Sequence, residues 1–197
     1  VARVGGLRPK RRRALVAIAG APGSGKSTLA ERLVQGLGAR AALVPMDGFH
    51  LDNRVLGPRG LLPRKGAPES FDAAGFVHMV GRLATEEEVM IPVFDRDRDI
   101  AISGAAVVGP DVQVAVIEGN YLLLDEAPWS GLQPLWDVTV MLDVPMDELR
   151  RRLVQRWIDH DHTPEQAEAR ALSNDLPNAE RVVRDSVAAD LTVTATR

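Results

Sequence analysis

The feature that most restricts how this chain can fold is the octapeptide Gly20-Ala21-Pro22-Gly23-Ser24-Gly25-Lys26-Ser27, a full match to G-x-x-x-x-G-K-[ST]. It is flanked in register on both sides. Residues 14–19, Ala-Leu-Val-Ala-Ile-Ala, form a short continuous apolar run, the pattern of a parallel strand buried on both faces. Residues 26–37 carry Leu29, Ala30, Leu33, Val34 and Leu37 at helical spacing, with Gly38 as a stop. A strand, a glycine loop and a helix in that order aim backbone N–H groups and the positive end of a helix at one point, which is a seat for phosphate. The spacing assigns residues 20–28, ending at Thr28, to the phosphates of a nucleotide. Lys26 reaches for the β- and γ-phosphates, and Ser27 offers its hydroxyl to Mg²⁺.

The rest of the chain continues the alternation. Residues 41–44 read as a second strand, and residues 72–85 as a helix with Phe76, Val77, Val80 and Leu83 on one side. Strands are expected at 89–94, 112–117, 138–144 and from Leu191, with a basic helix over 147–159. Thr163-Pro164-Glu165-Gln166 carries an N-cap, a first-turn proline and a capping-box Gln, so another helix begins there. Strands alternating with helices imply an α/β fold, a mostly parallel sheet covered on both faces, in one domain over residues 1–197. The Gly/Pro-rich stretch 45–68 is too long for a connector, and loops of that length in a compact domain are usually functional or disordered.

Composition removes several classes. A net charge of −3 gives no global basic field for nucleic acid. There is no cysteine, so disulfides, thiol catalysis and thiolate metal sites are excluded, in keeping with a cytoplasmic location. No apolar run approaches the ~18 residues of a membrane span, and the basic stretch 8–13 leads into only six apolar residues, so it reads as a solvated flank rather than a leader.

A phosphate loop of this kind needs a second acidic group for the metal, and Glu118 follows the strand 112–117 at the end where such sheets bind ligands. Asp143 is a rival that reads as structural. Further segments then carry a resemblance. They are Asp47-Gly48-Phe49-His50, the run from Val55-Leu56 through Lys65-Gly66 to Pro68-Glu69-Ser70-Phe71-Asp72, Pro92-Val93-Phe94-Asp95, and Glu118-Gly119. With the glycine loop they make residues 14–120 similar to the phosphoribulokinase, uridine kinase and pantothenate kinase superfamily of P-loop small-molecule kinases. The overall pattern and short length resemble bacterial fructose transport system kinases in particular.

The resemblance implies a P-loop NTPase three-layer sandwich with an arginine-bearing lid over about 147–175, and ATP with Mg²⁺ as cofactors. It implies phosphoryl transfer to a hydroxyl of a small polar metabolite, with a fructose-type sugar as first choice. Pantothenate- or nucleoside-type kinases, or a regulatory ATPase module of a transport system, are the alternatives. It makes a homodimer possible. By position, Asp47 matches the carboxylate proposed as general base, and Arg152 and Arg156 match lid arginines that close over the transferring phosphate. His50, Arg64, Glu69, Asp95 and Arg96 stand among the polar residues expected on the acceptor side. Gly66, Phe94 and Arg96 occupy positions where uridine and pantothenate kinases carry substrate-holding aspartate, tyrosine and histidine. Asn174, Asp175 and Asn178 could contact nucleotide or act as caps. His160 and His162 read as a solvated helix end, Trp129, Trp136 and Trp157 as packing or dimer contacts, and Asp97 and Asp99 as an exposed turn.

Overall fold

The computed structural model describes residues 11–194 together with Val4 and Gly6. Five parallel strands form the main sheet: β1 (Ala14–Gly20), β2 (Ala41–Pro45), β5 (Val114–Gly119), β6 (Val138–Asp143) and β7 (Leu191–Thr194), in the order β2-β5-β1-β6-β7. The expected strand at 112–117 is displaced by two residues, so Glu118 lies in β5 opposite Ile18 of β1 and Pro45 of β2.

Strand β1 is buried along its whole length because the sheet is covered twice. Leu15, Ala17 and Ala19 face a core with Phe76, Met79, Val80 and Leu83 of helix α3 (Ala73–Thr85). Ala14, Val16 and Ile18 face Ala30, Leu33 and Leu37 of helix α1 (Lys26–Leu37). The period of two along the strand thus sorts alternate residues into two cores. A third apolar cluster joins Ala21 and Val144 to Leu149 and Leu153 of α4 (Met146–Ile158), and to Ala171, Leu176 and Ala179 of the following helices. This cluster seats the lid on the loop after β1. The helix that starts at Thr163 does so with the expected capping box.

Three expectations needed correction or extension. Residues 89–95 do form a strand, β3 (Val89–Asp95), but it pairs antiparallel with an unforeseen β4 (Ile100–Val108) in a separate two-stranded sheet. Its outer face, with Met90 and Val107 about half exposed, and Gly104 in mid-strand blur the alternation that marks a strand. The stretch 45–68 is ordered into short turns: Met46–Phe49, α2 (Asn53–Leu56) and Leu62–Arg64. The basic flank is not uniformly solvated. Arg8 and Lys10 lie outside the described residues, whereas Arg13 is fully buried. Its guanidinium donates to the carbonyls of Leu83, Glu87, Gly109 and Val112, tying the end of α3 and the turn before β5 to the start of β1.

Among the described residues no helix is long and apolar enough to cross a membrane.

Candidate active site

A cleft of about 810 Å³ opens at the carboxyl edge of the parallel sheet, between the glycine loop, the 46–66 segment, the β3–β4 hairpin and the lid. At one end lie Pro22, Gly23, Gly25, Lys26, Ser27 and Thr28. Gly23 has φ 79, and a Cβ there would sit 3.2 Å from Leu153 of α4, so glycine answers both the turn and the close approach of the lid. Gly20 and Ala21 are buried behind the loop, and the buried Ser24 hydroxyl has no hydrogen-bond partner.

Lys26 is enclosed. Burial holds its ammonium below the usual lysine range, and Arg156 and Arg96 push the same way, while Glu118 and Asp47 pull it back. Glu118 shows the converse. Burial raises its carboxyl above the ordinary glutamate value, Asp47 adds to the rise, and Lys26 and the Ser27 hydroxyl oppose it. One Glu118 oxygen, Oε2, is buried without a partner. An orphaned carboxylate oxygen beside a serine hydroxyl and an ammonium fits a hard divalent cation, which prefers oxygen ligands and keeps several of its waters. Ser27 and Glu118 are therefore the residues that would hold Mg²⁺.

Toward the other end the walls come from different elements. Asp47 sits in the turn after β2 and receives a hydrogen bond from Arg96 Nη2 at 2.5 Å. Gly48 beside it cannot be replaced without collision, because a Cβ would run into the Pro92 carbonyl of β3. His50 lies between Phe71 and Phe94, at 4.0 and 4.6 Å between ring centroids, with Nδ1 2.9 Å from the Asp47 carbonyl. Burial lowers its pKa, against the pull of Asp47. Lys65 Nζ is 2.7 Å from Asp99 Oδ1, 2.8 Å from Asn53 Oδ1 and 3.1 Å from the Asp99 carbonyl. These contacts tie the 53–66 segment to the hairpin tip.

The lid contributes Arg156, Trp157, His160 and Arg170. Arg156 and Arg170 each lie over the Trp157 ring, at 5.3 and 5.2 Å. Asp175 accepts from Trp157 Nε1 at 2.6 Å and pairs with Arg156 at 3.2 Å. A π-helical turn, Ala171–Asp175, turns Asn174, Asp175 and, one turn on, Asn178 inward. Asn174 then donates to the Lys65 carbonyl, and Asn178 to Asn174.

The cleft thus gathers Lys26, Ser27, Asp47, His50, Arg96 and Arg156, with Glu118 beside them. Other expected residues fall elsewhere. Arg152 does not line the cleft: it bonds Glu148 and reaches the carbonyls of Gly23 and Ser24, bracing the glycine loop. Arg64 pairs with Glu69 at 2.9 Å, and Glu69 also meets Arg181, on the rim of a separate hollow. Asp95 accepts from the Arg98 backbone and shapes the hairpin turn. Asp99, read as an exposed turn, lines the cleft instead, because its position depends on a strand pairing that the charged run conceals. Asn53, Asn120, Trp157 and Arg170 also line it and were not singled out as site residues. Trp129 is buried in the main core and Trp136 donates to Leu122 O. His160 and His162 bond backbone carbonyls at the end of α4, and no group of three or more His, Cys, Asp or Glu placed to hold a metal occurs among the described residues.

A glycine loop between β1 and α1 at the carboxyl edge of this sheet, under a helical lid, defines a P-loop kinase fold. The model of the Phosphoribulokinase / Uridine kinase family matches residues 15–193, and the chain belongs to that family. It is similar to a crystal structure from Silicibacter sp. TM1040 described as a "putative fructose transport system kinase", with 56% identity, a TM-score of 0.91, and 95% of this chain and 93% of that one covered. It is 37% identical to the uncharacterized protein YggC of Escherichia coli strain K12, over 94% of this chain and 79% of that protein. It is 33% identical to a Schizosaccharomyces pombe protein named "Putative uridine kinase", over 91% and 82%. The chain is a kinase of this family.

Proposed function

We propose that the protein transfers the γ-phosphoryl group of ATP to a hydroxyl of a small polar metabolite, with a sugar of the fructose type as the first candidate. The observation that supports this most is that Asp47 and Lys26 open onto one cleft from different walls, so a nucleotide end and an acceptor end face each other. Similarity to the Silicibacter protein supports the sugar over pantothenate or a nucleoside.

Each residue has a task that its surroundings suit. Lys26, held in a low-dielectric pocket, balances charge on the phosphate oxygens more strongly than an exposed lysine would. Arg156 is close enough to this pocket to influence Lys26, and it adds a guanidinium as charge gathers on the transferring group. Asp47 orients the acceptor hydroxyl and takes its proton late in transfer. Arg152 keeps the loop carbonyls turned away, leaving the N–H groups for phosphate. Ser27 and Glu118 would hold Mg²⁺ together with the nucleotide, and the ion would supply further positive charge there. Closure of α4 and the π-helical turn excludes water, which favours the acceptor over hydrolysis.

The test is ADP release from MgATP across a panel of sugars, nucleosides and pantothenate, with the phosphate followed. Strong stimulation by one compound, with the phosphate recovered on it, upholds the reading. A slow release of inorganic phosphate that no compound accelerates would instead make the protein an NTP-hydrolysing module.

A further inference from the structure

The charged groups that line the cleft are Lys26, Lys65, Arg96, Arg156 and Arg170, against Asp47, Asp99 and Asp175. Their pairings divide the cleft by charge. Lys26 belongs to the glycine loop. Arg156 is paired with Asp175, and Arg170, also over the Trp157 ring, donates to the Pro63 carbonyl; both sit on the lid. That leaves Lys65 and Arg96 as the cations beside Asp47 and His50.

Lys65 is the cation best placed to anchor an anionic acceptor, but its donors are already engaged. An ammonium has three protons, and three acceptors surround this one: Asp99 Oδ1, Asn53 Oδ1 and the Asp99 carbonyl. The ammonium also rests 5.4 Å from the centroid of the Phe94 ring, and the side chain is only 12% exposed. Arg96 is ion-paired through Nη2 with Asp47, the group that must meet the acceptor hydroxyl. Neither of the two cations beside Asp47 and His50 is left without a counter-charge to receive a phosphate or carboxylate.

Neutral hydrogen-bonding groups remain. With Nδ1 donating to the Asp47 carbonyl, the tautomer of a neutral His50 is set and Nε2 carries a lone pair, an acceptor for a hydroxyl. Asn120 lines the cleft between Gly119, which packs on Met46, and Tyr121, whose hydroxyl donates to Gly66 O. It therefore stands where the Asp47 turn meets the 65–66 turn. Its Oδ1 is buried without a partner. An amide left short of a hydrogen bond at a cleft wall gains one when it turns toward a bound hydroxyl.

We propose that the acceptor end of the cleft is built for an uncharged polyol and disfavours its phosphorylated or carboxylate counterpart, with His50 and Asn120 reading its hydroxyls. This rests on the kinase reading and narrows it. An anionic group brought here meets Asp47 and Asp99 and finds its cations already paired, and a misfit of that kind costs discrimination in kcat/KM.

The experiment compares matched acceptors on the intact protein with MgATP: D-fructose against fructose 6-phosphate, D-ribose against ribose 5-phosphate, and glycerol against glycerate. The expected result is a preference of at least about tenfold in kcat/KM for an uncharged member over its anionic partner. His50→Phe, which keeps a ring between Phe71 and Phe94, and Asn120→Ala each raise the KM for that acceptor by about tenfold and leave the KM for ATP in place. Preference for an anionic member overturns the proposal while leaving the protein a kinase. So does an unchanged acceptor KM in both variants. ADP release that no acceptor of either kind stimulates removes the proposal together with the kinase reading.

Discussion

The two ends of the cleft are built by different means. The nucleotide end is an extension of the sheet: β1 is buried throughout, the glycine loop leaves it directly, and Ser27 and Glu118 come from elements packed in the two main cores. The acceptor end stands outside the sheet. It is assembled from short turns, a two-stranded hairpin and the inward side chains of a π-helical turn, and cross-links hold it: Lys65 to Asp99 and Asn53, Arg96 to Asp47, and Asn174 to Lys65 O. A seat for phosphate needs only a loop and a helix end, which one short sequence can specify. A seat for one acceptor needs side chains from several segments to meet.

If that division is right, Lys26→Met gives the largest effect. Turnover falls on the order of a thousandfold with every acceptor. Thermal stability is kept or raised, since the variant removes an ammonium that is costly to bury. Steady-state kinetics beside a melting curve checks both, and a loss confined to one acceptor would break the comparison.

Arg13→Met comes next and touches neither end. It leaves the carbonyls of Leu83, Glu87, Gly109 and Val112 short of a donor and costs about 3 kcal/mol in denaturant unfolding. The KM values of the folded fraction stay as they were.

Lys65→Met sharpens the contrast. It releases the tie between the 53–66 segment and the hairpin tip, costing about 1–2 kcal/mol of stability. Acceptor KM rises and nucleotide affinity holds, as titration of each ligand can show. Nucleotide affinity falling in step would mean that the two ends are not separable.

The smallest effect concerns pH. The His50 pKa is lowered on folding, so between that lowered value and the ordinary 6.5 the unfolded chain binds more protons than the folded one. Stability is therefore lost as pH drops below 6.5. The slope is shallower in His50→Phe, and urea unfolding at pH 7 and pH 5 measures the difference.

The same division explains what could be read from the sequence. The loop at residues 20–27, the order of strands and helices, and the capping box at Thr163 depend on local pattern, and these elements lie close to where the pattern puts them. Strand β4 could not be read, because its outer face is bare and Gly104 interrupts it. With it went the place of Asp99, which a charged run presents as a turn. Arg64, Glu69 and Asp95 are as polar as His50 and Arg96, but they spend their charges on neighbours outside the cleft. Arg152 and Arg156 lie four apart on one helix, yet only Arg156 faces the cleft, because Leu153 brings α4 close enough to the loop for Arg152 to reach its carbonyls. Asn120 carries no motif and is picked out only by its unpaired oxygen.

The most direct measurement is single-turnover phosphoryl transfer by Asp47→Asn, made alongside its affinity for ATP. With separate ends, transfer falls by about 10²–10⁴-fold while ATP binds as well as before, or more tightly with a negative charge removed near Lys26. Equal losses of ATP binding and transfer would contradict the division, and would make Asp47 part of the nucleotide seat.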